Sequence, residues 1–282
     1  MTNPNAGLVT LHEAAERLGV HYMTAYRRVR MGILPARKIG GTWWIDPADL
    51  DRPATAAGPV PGRRSAGEPD DASAWRDRLQ DRMLSGDVAG SWRVVEAAMA
   101  AGREPRDIYV EVLAPTLHAV GDLWQSGAVG IEQEHLASSV AASLVGRLGA
   151  RFARRGRKKG VVVVAMPPGE RHGLGVAMLA DILTQDGYEV RNLGPDTPAP
   201  SLVAAMRDAD QLAAVVVSVV DARHRRAAEE LIIAAHRERP TLPLIAGGYA
   251  VPDERSAMEL GAAGWVSDPR ELAGLMERLG SD

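Results

Sequence analysis

Short, mostly apolar runs alternate with segments of helical length throughout the C-terminal half of the chain, and this alternation restricts the fold more than any other feature. The predicted strands are Val161–Ala165, Glu189–Leu193, Ala213–Val217, Leu242–Ala246 and the weaker Gly264–Val266. Strands that are apolar on both faces and separated by helices are typical of a parallel sheet covered on both sides. The sequence therefore predicts a Rossmann-like parallel-sheet domain over residues 157–282. Its ligand site is expected beyond the carboxyl ends of the strands.

Polar residues and glycines follow three of these strands. The set comprises Glu170, His172, Gly175, Ser218, Gly247 and Gly248. A histidine on a strand-exit loop is by itself more often a surface or capping residue, and a glycine pair is by itself typical of a strand-end turn. Because all of these residues fall at one edge of the predicted sheet, they together predict a ligand site. His172 is the candidate metal or cofactor ligand in it.

Residues 73–156 show helical periodicity throughout. The breaks fall near Ser85-Gly86, between Gly102 and Pro105, and at Gly127. Four helices joined by short breaks predict a four-helix bundle. Pro115 is expected to kink the third helix.

Residues 1–52 have the pattern of a winged helix-turn-helix domain. Thr10 and Glu13 form a predicted capping box, Gly19 ends the short helix that follows, and a second helix is predicted over 21–31. Residues 33–45 alternate and predict a hairpin. A helix-turn-helix followed by a hairpin is the arrangement of a winged helix.

The winged helix is the candidate DNA-binding surface. The stretch 21–44 contains five Arg and Lys side chains and no acidic residue, although the whole chain carries a net charge of -3. The second helix is expected in the major groove. The candidate contacts on that helix and on the hairpin are Thr24, Tyr26, Arg27, Arg28, Arg30, Arg37 and Lys38. One copy with so few contacts binds weakly and loses affinity with salt, so several copies must act together.

Two further segments and several absences complete the organisation. Residues 53–72 are rich in proline and glycine and predict a linker. Residues 151–160 form a basic connector, which we interpret as a solvated hinge. The chain has no cysteine, signal peptide or run long enough to cross a bilayer, so a cytoplasmic location is expected. No catalytic dyad or phosphate loop points to an enzyme.

The site residues resemble a known signature. The order Glu170-x-His172-x-x-Gly175, Ser218-x-Val220, Gly247-Gly248 resembles the cobalamin-binding domain of methionine synthase, the mutases and related regulators. The resemblance implies that His172 displaces the cofactor's own benzimidazole and becomes the lower cobalt ligand. Its second ring nitrogen then needs a partner, either Glu170 or a backbone carbonyl. Ser218 is implied to hydrogen-bond the buried benzimidazole, and the glycines are implied to make room for the corrin and its nucleotide tail.

The bundle adds a second resemblance. Trp124 is followed after nine residues by Glu134-His135, which resembles the cap of the CarH-like and LitR-like cobalamin-dependent, light-responsive regulators. A lone bundle tryptophan is usually core and a Glu-His pair is usually surface, so the weight lies in their combination. The resemblance covers residues 75–275 and implies adenosylcobalamin as the cofactor. Trp124 is then expected over the upper axial face, with Glu134 and His135 at the adenosyl group.

Two positions depart from that pattern. Gln125 stands where such photoreceptors carry a histidine that takes the upper cobalt position after illumination. Either water or another histidine, His135 or His118, takes its place. The N-terminal domain also looks more like a short excisionase-type winged helix than a full MerR-type domain.

The resemblance implies a transcriptional repressor rather than an enzyme. Its dark-state homo-oligomer, a tetramer or dimer, is expected to hold operator DNA until light breaks the cobalt–carbon bond. Three alternatives stay open: a regulator that senses cobalamin level without light, a corrinoid methyl carrier, and an antirepressor that works without cofactor. The winged helix argues against the carrier, and the His172 motif argues against the antirepressor.

Overall fold

The computed structural model describes residues 7–20, 25–26, 28–29, 34–39, 42–50 and 72–281. These residues divide into two units. The first contains the described residues between 7 and 50 together with residues 121–134, and the second contains residues 72–120 and 135–281.

The first unit is built on a small antiparallel sheet. Its elements are β1 (Val9–Thr10), α1 (Leu11–Arg17), β2 (Arg37–Ile39), β3 (Thr42–Ile45) and α2 (Pro47–Leu50), and the sheet order is β1-β3-β2. The predicted capping box is formed, because Thr10 accepts from the Glu13 amide while Glu13 accepts from the Thr10 amide at 2.7 Å. Residues 25–26 and 28–29, within the predicted second helix, are helical. The hairpin of the predicted wing is therefore present as β2 and β3.

The burial of Tyr26 contradicts its prediction as a DNA contact. Its side chain is only 6% exposed and lies in the core of the first unit with Val29, Leu34 and Ile45. A ring packed against these apolar side chains is not available to a base edge. Arg28 is half-buried and Arg37 is exposed, and the Lys38 backbone pairs with Trp43 across the hairpin. Thr24, Arg27 and Arg30 lie outside the described residues.

The four predicted helices of the middle segment are present. The first two are α3 (Ala72–Leu84) and α4 (Val88–Ala100). The third, α5, extends over residues 105–125. The fourth, α6 (Ile131–Gly149), continues into a 3-10 turn at Ala150–Phe152. The helix α5 runs without interruption through Pro105–Asp107, a π-helical stretch Ile108–Leu113, and Ala114–Gln125. The breaks fall where the glycines predicted them.

The irregularity predicted at Pro115 takes the form of this π-helical stretch. Proline has no amide hydrogen, so the carbonyl of Glu111 one turn earlier loses its helical donor. The Arg76 Nε donates to that carbonyl at 2.5 Å, and Thr116 donates its hydroxyl to the Val112 carbonyl at 2.7 Å. A side chain from α3 therefore satisfies the backbone group that the proline leaves open.

The C-terminal domain has the predicted parallel sheet. Its strands are β4 (Val161–Ala165), β5 (Glu189–Gly194), β6 (Leu212–Ser218) and β7 (Leu244–Gly247), in the order β5-β4-β6-β7. The helices are α7 (Leu174–Gln185), α8 (Ala199–Arg207), α9 (Arg225–Glu238), α10 (Glu254–Glu259) and α11 (Leu272–Leu279). Alternate residues of β4 and β6 pack on opposite faces of the sheet. Val163 and Val215 pack against α8 and α9. Val162 and Val216 pack against α7 and α11 on the other face. This explains why both strands are apolar throughout.

The prediction of a fifth strand at Gly264–Val266 was wrong. Only Gly264 forms a bridge, to Ile245 of β7. The chain then leaves the sheet edge, because Trp265 donates its indole N–H to the Val251 carbonyl at 2.9 Å. An apolar run of this length was too short to tell a strand from a packed loop.

Polar contacts fix α5 to the sheet domain within the second unit. Arg106 pairs with Asp186 at 2.9 Å, and the Tyr109 hydroxyl donates to Asp181 at 2.7 Å. Arg270 reaches Asp107 at 2.6 Å and Glu111 at 2.8 Å from the other side. These contacts hold the first half of α5 against α7 and against the segment that precedes α11. Among the described residues, none of the helices is both long and apolar enough to span a membrane.

Candidate functional site

A buried carboxylate organises the loop that leaves β4. Glu170 is fully buried, and its Oε2 accepts the amides of Val220 at 3.0 Å and Asp221 at 2.8 Å from the loop after β6. Its Oε1 accepts the amide of Arg171 at 2.9 Å and contacts the Nδ1 of His172. Burial by itself raises the pKa of Glu170, but the hydrogen bonds from Asp221, His172 and Val220 together bring that pKa below its ordinary value. Glu170 therefore joins two strand-exit loops as an ionised acceptor.

His172 presents one ring nitrogen outward. Its side chain is 60% exposed, and Glu170 occupies its Nδ1. A carboxylate at Nδ1 fixes the tautomer that carries its proton there and leaves the Nε2 lone pair for a metal. Of the two partners left open by the sequence, the carboxylate rather than a backbone carbonyl fills the role.

A cavity of about 770 Å³ lies between α5 and the sheet domain, and its wall includes Gly175, three residues after His172, and Val220, whose amide binds Glu170. Its wall at the sheet edge consists of Gly175 in the first turn of α7, Ser218 at the end of β6, and Gly247 and Gly248 at the end of β7. Its remaining walls are mostly apolar and include Met178, Leu179, Ile182, Ile245 and Leu272, with Tyr109, Ala114 and His118 on the side of α5. A large, mostly apolar cavity with a few polar groups is suited to an aromatic or heterocyclic ligand.

The three glycines in the cavity wall lack a side chain for different physical reasons. A Cβ on Gly175 or Gly247 would meet no atom within 4 Å, so their absent side chains leave open space. Gly248 has φ +98°, and a Cβ there would lie 2.4 Å from the Val219 carbonyl oxygen. Gly248 is therefore required by its own backbone, whereas Gly175 and Gly247 keep room for a ligand.

The structure thus brings most of the predicted site together at one sheet edge. Glu170 and His172 form one contact pair, and Gly175, three residues after His172, lines the cavity with Ser218. Trp124 and Glu134 lie on the segment 121–134 of the first unit, and His135 is exposed at the start of the part of α6 that belongs to the second. The role of these three residues stays a prediction.

Asp196 is a site residue that the sequence analysis missed. It accepts the amide of Gly169 at 2.8 Å and donates its own amide to the Glu170 carbonyl at 3.0 Å. Its φ is +54°, a left-handed conformation that aspartate tolerates better than most residues. The signal available in the sequence was an Asp after Gly194-Pro195 on a strand-exit loop. Asp196 therefore binds the backbone of the turn that carries Glu170, at Gly169 and at Glu170 itself.

We expect Glu170→Gln to lower the free energy of unfolding of the cofactor-free protein by about 2 kcal/mol or more. The amide nitrogen of glutamine is a donor, so it leaves at least one of the buried amide donors around Glu170 unpaired, at a cost of about 1–3 kcal/mol each. Urea unfolding followed by circular dichroism measures the change. Glu229→Gln is the matched control, because Glu229 is exposed. Equal stability of the two variants would contradict the anchoring role.

Three domain models of known families match separate parts of the chain. A helix-turn-helix domain model matches residues 8–54, one B12 binding domain model matches residues 75–148, and a second matches residues 160–273.

Two curated relatives and one solved structure are informative. The HTH-type transcriptional repressor CarH of Myxococcus xanthus is 32% identical over 67% of this chain and 62% of its own length. Monomethylamine corrinoid protein 2 of Methanosarcina acetivorans is 22% identical over 43% of this chain and 57% of its own length. The chain therefore spans about three fifths of the length of these relatives. The structure of the Methanosarcina barkeri monomethylamine corrinoid protein superposes with a TM-score of 0.63 at 19% identity, covering 74% of this chain and all of that one, which shows the shared fold.

Proposed function

This chain belongs to the CarH-like, B12-dependent regulators, since it joins a helix-turn-helix domain to two B12 binding domains, and from this premise we propose that it is a DNA-binding transcriptional repressor controlled by adenosylcobalamin. The observation that carries the cofactor assignment is the Glu170–His172 pair beside the cavity. It offers one oriented imidazole nitrogen next to a space lined by open glycines. A cobalt corrinoid with a displaced base needs both features.

The residues present fit such a group. His172 would bind cobalt from below through Nε2, with Glu170 as its partner. The hydroxyl of Ser218 would hydrogen-bond the displaced base inside the cavity, and Gly175 and Gly247 would leave room for the nucleotide tail. We propose Trp124, Glu134 and His135 as the residues that cover the upper face and the adenosyl group. When bound, adenosylcobalamin supplies a cobalt–carbon bond that light can break.

Oligomer state is the proposed link between cofactor and DNA. Binding through one winged helix is weak and falls steeply with salt, so copies joined in one complex bind far more tightly than separate ones. Contacts of the cap with the adenosyl group would stabilise a dimer or tetramer in the dark. Loss of the adenosyl group would remove them and release the operator. The domain limits 1–52, 73–156 and 157–282 and the linker 53–72 are part of this proposal.

His118 is the histidine we favour for the upper cobalt position in place of Gln125. It lies in the cavity wall on α5, and its ring is 5.2 Å from that of Tyr249, which follows Gly247-Gly248. Gln125 and His135 are both exposed.

A second candidate function is a corrinoid methyl carrier. It is supported by the similarity to monomethylamine corrinoid protein 2 of Methanosarcina acetivorans over 43% of this chain. The helix-turn-helix domain at residues 8–54 favours the regulator over a carrier or another enzyme component. A regulator that senses cobalamin level without light uses the same site and differs only in its response to illumination.

Size-exclusion chromatography tests the proposal. We expect protein reconstituted with adenosylcobalamin to elute as an oligomer in the dark and as a smaller species after green light, with the cobalamin spectrum in both peaks. Protein reconstituted with hydroxocobalamin has no adenosyl group and should elute at the small size in the dark. Bound cofactor with no change in size would favour the level sensor. Protein that retains no cobalamin would contradict the cofactor assignment.

A further inference from the structure

The connector between α6 and β4 is the most basic stretch of the second unit. Residues 151–159 carry six positive side chains, namely Arg151, Arg154, Arg155, Arg157, Lys158 and Lys159. No aspartate or glutamate occurs between Glu134 and Glu170. We call residues 151–159 the basic loop.

The basic loop is anchored rather than hinged, contrary to the interpretation of the sequence. Phe152 is buried and its ring stacks on that of Tyr109 at 4.9 Å. Arg154 donates to the Gln185 carbonyl at 3.2 Å, and the Lys159 amide donates to the Gly187 carbonyl at 2.9 Å. The loop is thus held at both ends against α5 and α7, and its exposed side chains project from a fixed backbone.

Most of its charge is not neutralised within the protein. Elsewhere in the sheet domain arginines pair with carboxylates, as in Arg191–Asp208 at 2.9 Å and Arg207–Glu238 at 2.7 Å. In the basic loop Lys159 pairs with Glu277 at 2.8 Å. Arg151, Arg155 and Arg157 are exposed, and no carboxylate of the described residues lies within ion-pair distance of them. Exposed guanidinium groups that extend from an anchored backbone and have no carboxylate partner among the described residues are suited to an external anion.

The position of the loop leaves the cofactor site free. Because the loop enters β4, it lies at the amino edge of the sheet, whereas His172 and the cavity lie at the carboxyl edge. An anionic partner can therefore occupy the loop without covering the cofactor site.

From these observations we infer that the basic loop is a second DNA contact, in which Arg155 and Arg157 bind phosphates of the duplex held by the winged helix. The inference rests on the proposed DNA-binding function. Guanidinium groups bind phosphate oxygens with two parallel hydrogen bonds, independently of sequence. A membrane surface fits less well, because the loop's aromatic side chain, Phe152, is buried and offers nothing apolar to a bilayer.

The test measures DNA affinity against salt. Full-length protein with adenosylcobalamin is titrated in the dark against a fluorescent duplex of mixed sequence, from about 0.05 to about 0.3 M NaCl. For Arg155→Gln/Arg157→Gln, the slope of log K against log salt should fall by about 1.8 for each copy in contact, and affinity at about 0.1 M salt should drop about 10- to 60-fold. The cobalamin spectrum and elution volume should match the wild type.

Arg226→Gln/Arg255→Gln is the matched control. It removes two exposed positive charges at the carboxyl edge, where Arg226 is the second residue of α9 and Arg255 lies in α10. An unchanged slope in the loop variant, or an equal loss in the control, would overturn the inference. So would an unchanged DNA slope together with lost binding to vesicles of anionic phospholipid, which would assign the loop to a membrane. Wild-type protein that binds no DNA would contradict the proposed function itself. Wild-type protein and a loop variant that bind DNA equally would contradict only the inference about the loop.

Discussion

Gly175→Leu is expected to weaken cobalamin binding by about 5- to 150-fold while leaving the cofactor-free protein folded. Gly175 lines the cavity, and a Cβ there meets no atom within 4 Å. A leucine side chain therefore enters the cavity without displacing protein atoms. It would occupy the space that we propose for the nucleotide tail, and overpacking of this kind costs about 1–3 kcal/mol.

Two measurements separate binding from folding in this variant. Titration of the cofactor-free protein with cobalamin, followed by absorbance, gives the affinity, and thermal unfolding gives the stability. Stability should not fall, because Gly175 lies in α7 and glycine costs about 1 kcal/mol in a helix relative to a good helix former. Gly146→Leu is the control, since Gly146 is an exposed glycine of α6 with the same open surroundings. Wild-type affinity in Gly175→Leu would show that the tail lies elsewhere.

The parallel sheet was predictable because its signal is local. β4 and β6 are apolar on both faces, and only a sheet covered by helices on both sides buries them. The segment Gly264–Val266 is also mostly apolar but has only three residues. Its conformation is set by the hydrogen bond from the Trp265 indole to the Val251 carbonyl. Tyr26 shows the same limit in the first unit, since a tyrosine directly before two arginines is compatible with a DNA contact and with a core position.

The sequence allowed individual candidate residues of the site to be named. It did not allow the hydrogen bonds that join them across distant loops to be predicted. The family resemblance implied that His172 is a ligand and that Glu170 or a backbone carbonyl is its partner. The amides of Val220 and Asp221 that hold Glu170 come from 50 residues further along the chain. Asp196 acts through its backbone conformation and one side-chain acceptor, and neither has a periodic pattern. The anchoring of the basic loop depends on Phe152 meeting Tyr109, a contact across two helices that composition does not reveal.

His172→Ala is expected to remove the lower cobalt ligand and with it most of the cobalamin affinity. Loss of an outer partner of a metal ligand typically costs about 10- to 100-fold in affinity, so loss of the ligand should cost at least that much. The cofactor-free fold should persist, because the His172 side chain is 60% exposed. Because the missing ring faces solvent, added imidazole should restore part of the binding.

The bound cob(II)alamin form identifies the ligand directly by electron paramagnetic resonance. In wild-type protein the axial nitrogen should split each cobalt line into a triplet, and ¹⁵N-labelled histidine should change the triplet to a doublet. His224→Ala is the control, because His224 packs against the same loop near Gly169 without belonging to the Glu170–His172 pair. A triplet that survives ¹⁵N-histidine labelling would mean that the cofactor keeps its own benzimidazole on cobalt. The cavity would then hold no displaced base. The hydrogen bond proposed for Ser218 and the space that Gly175 leaves open would have to serve another ligand.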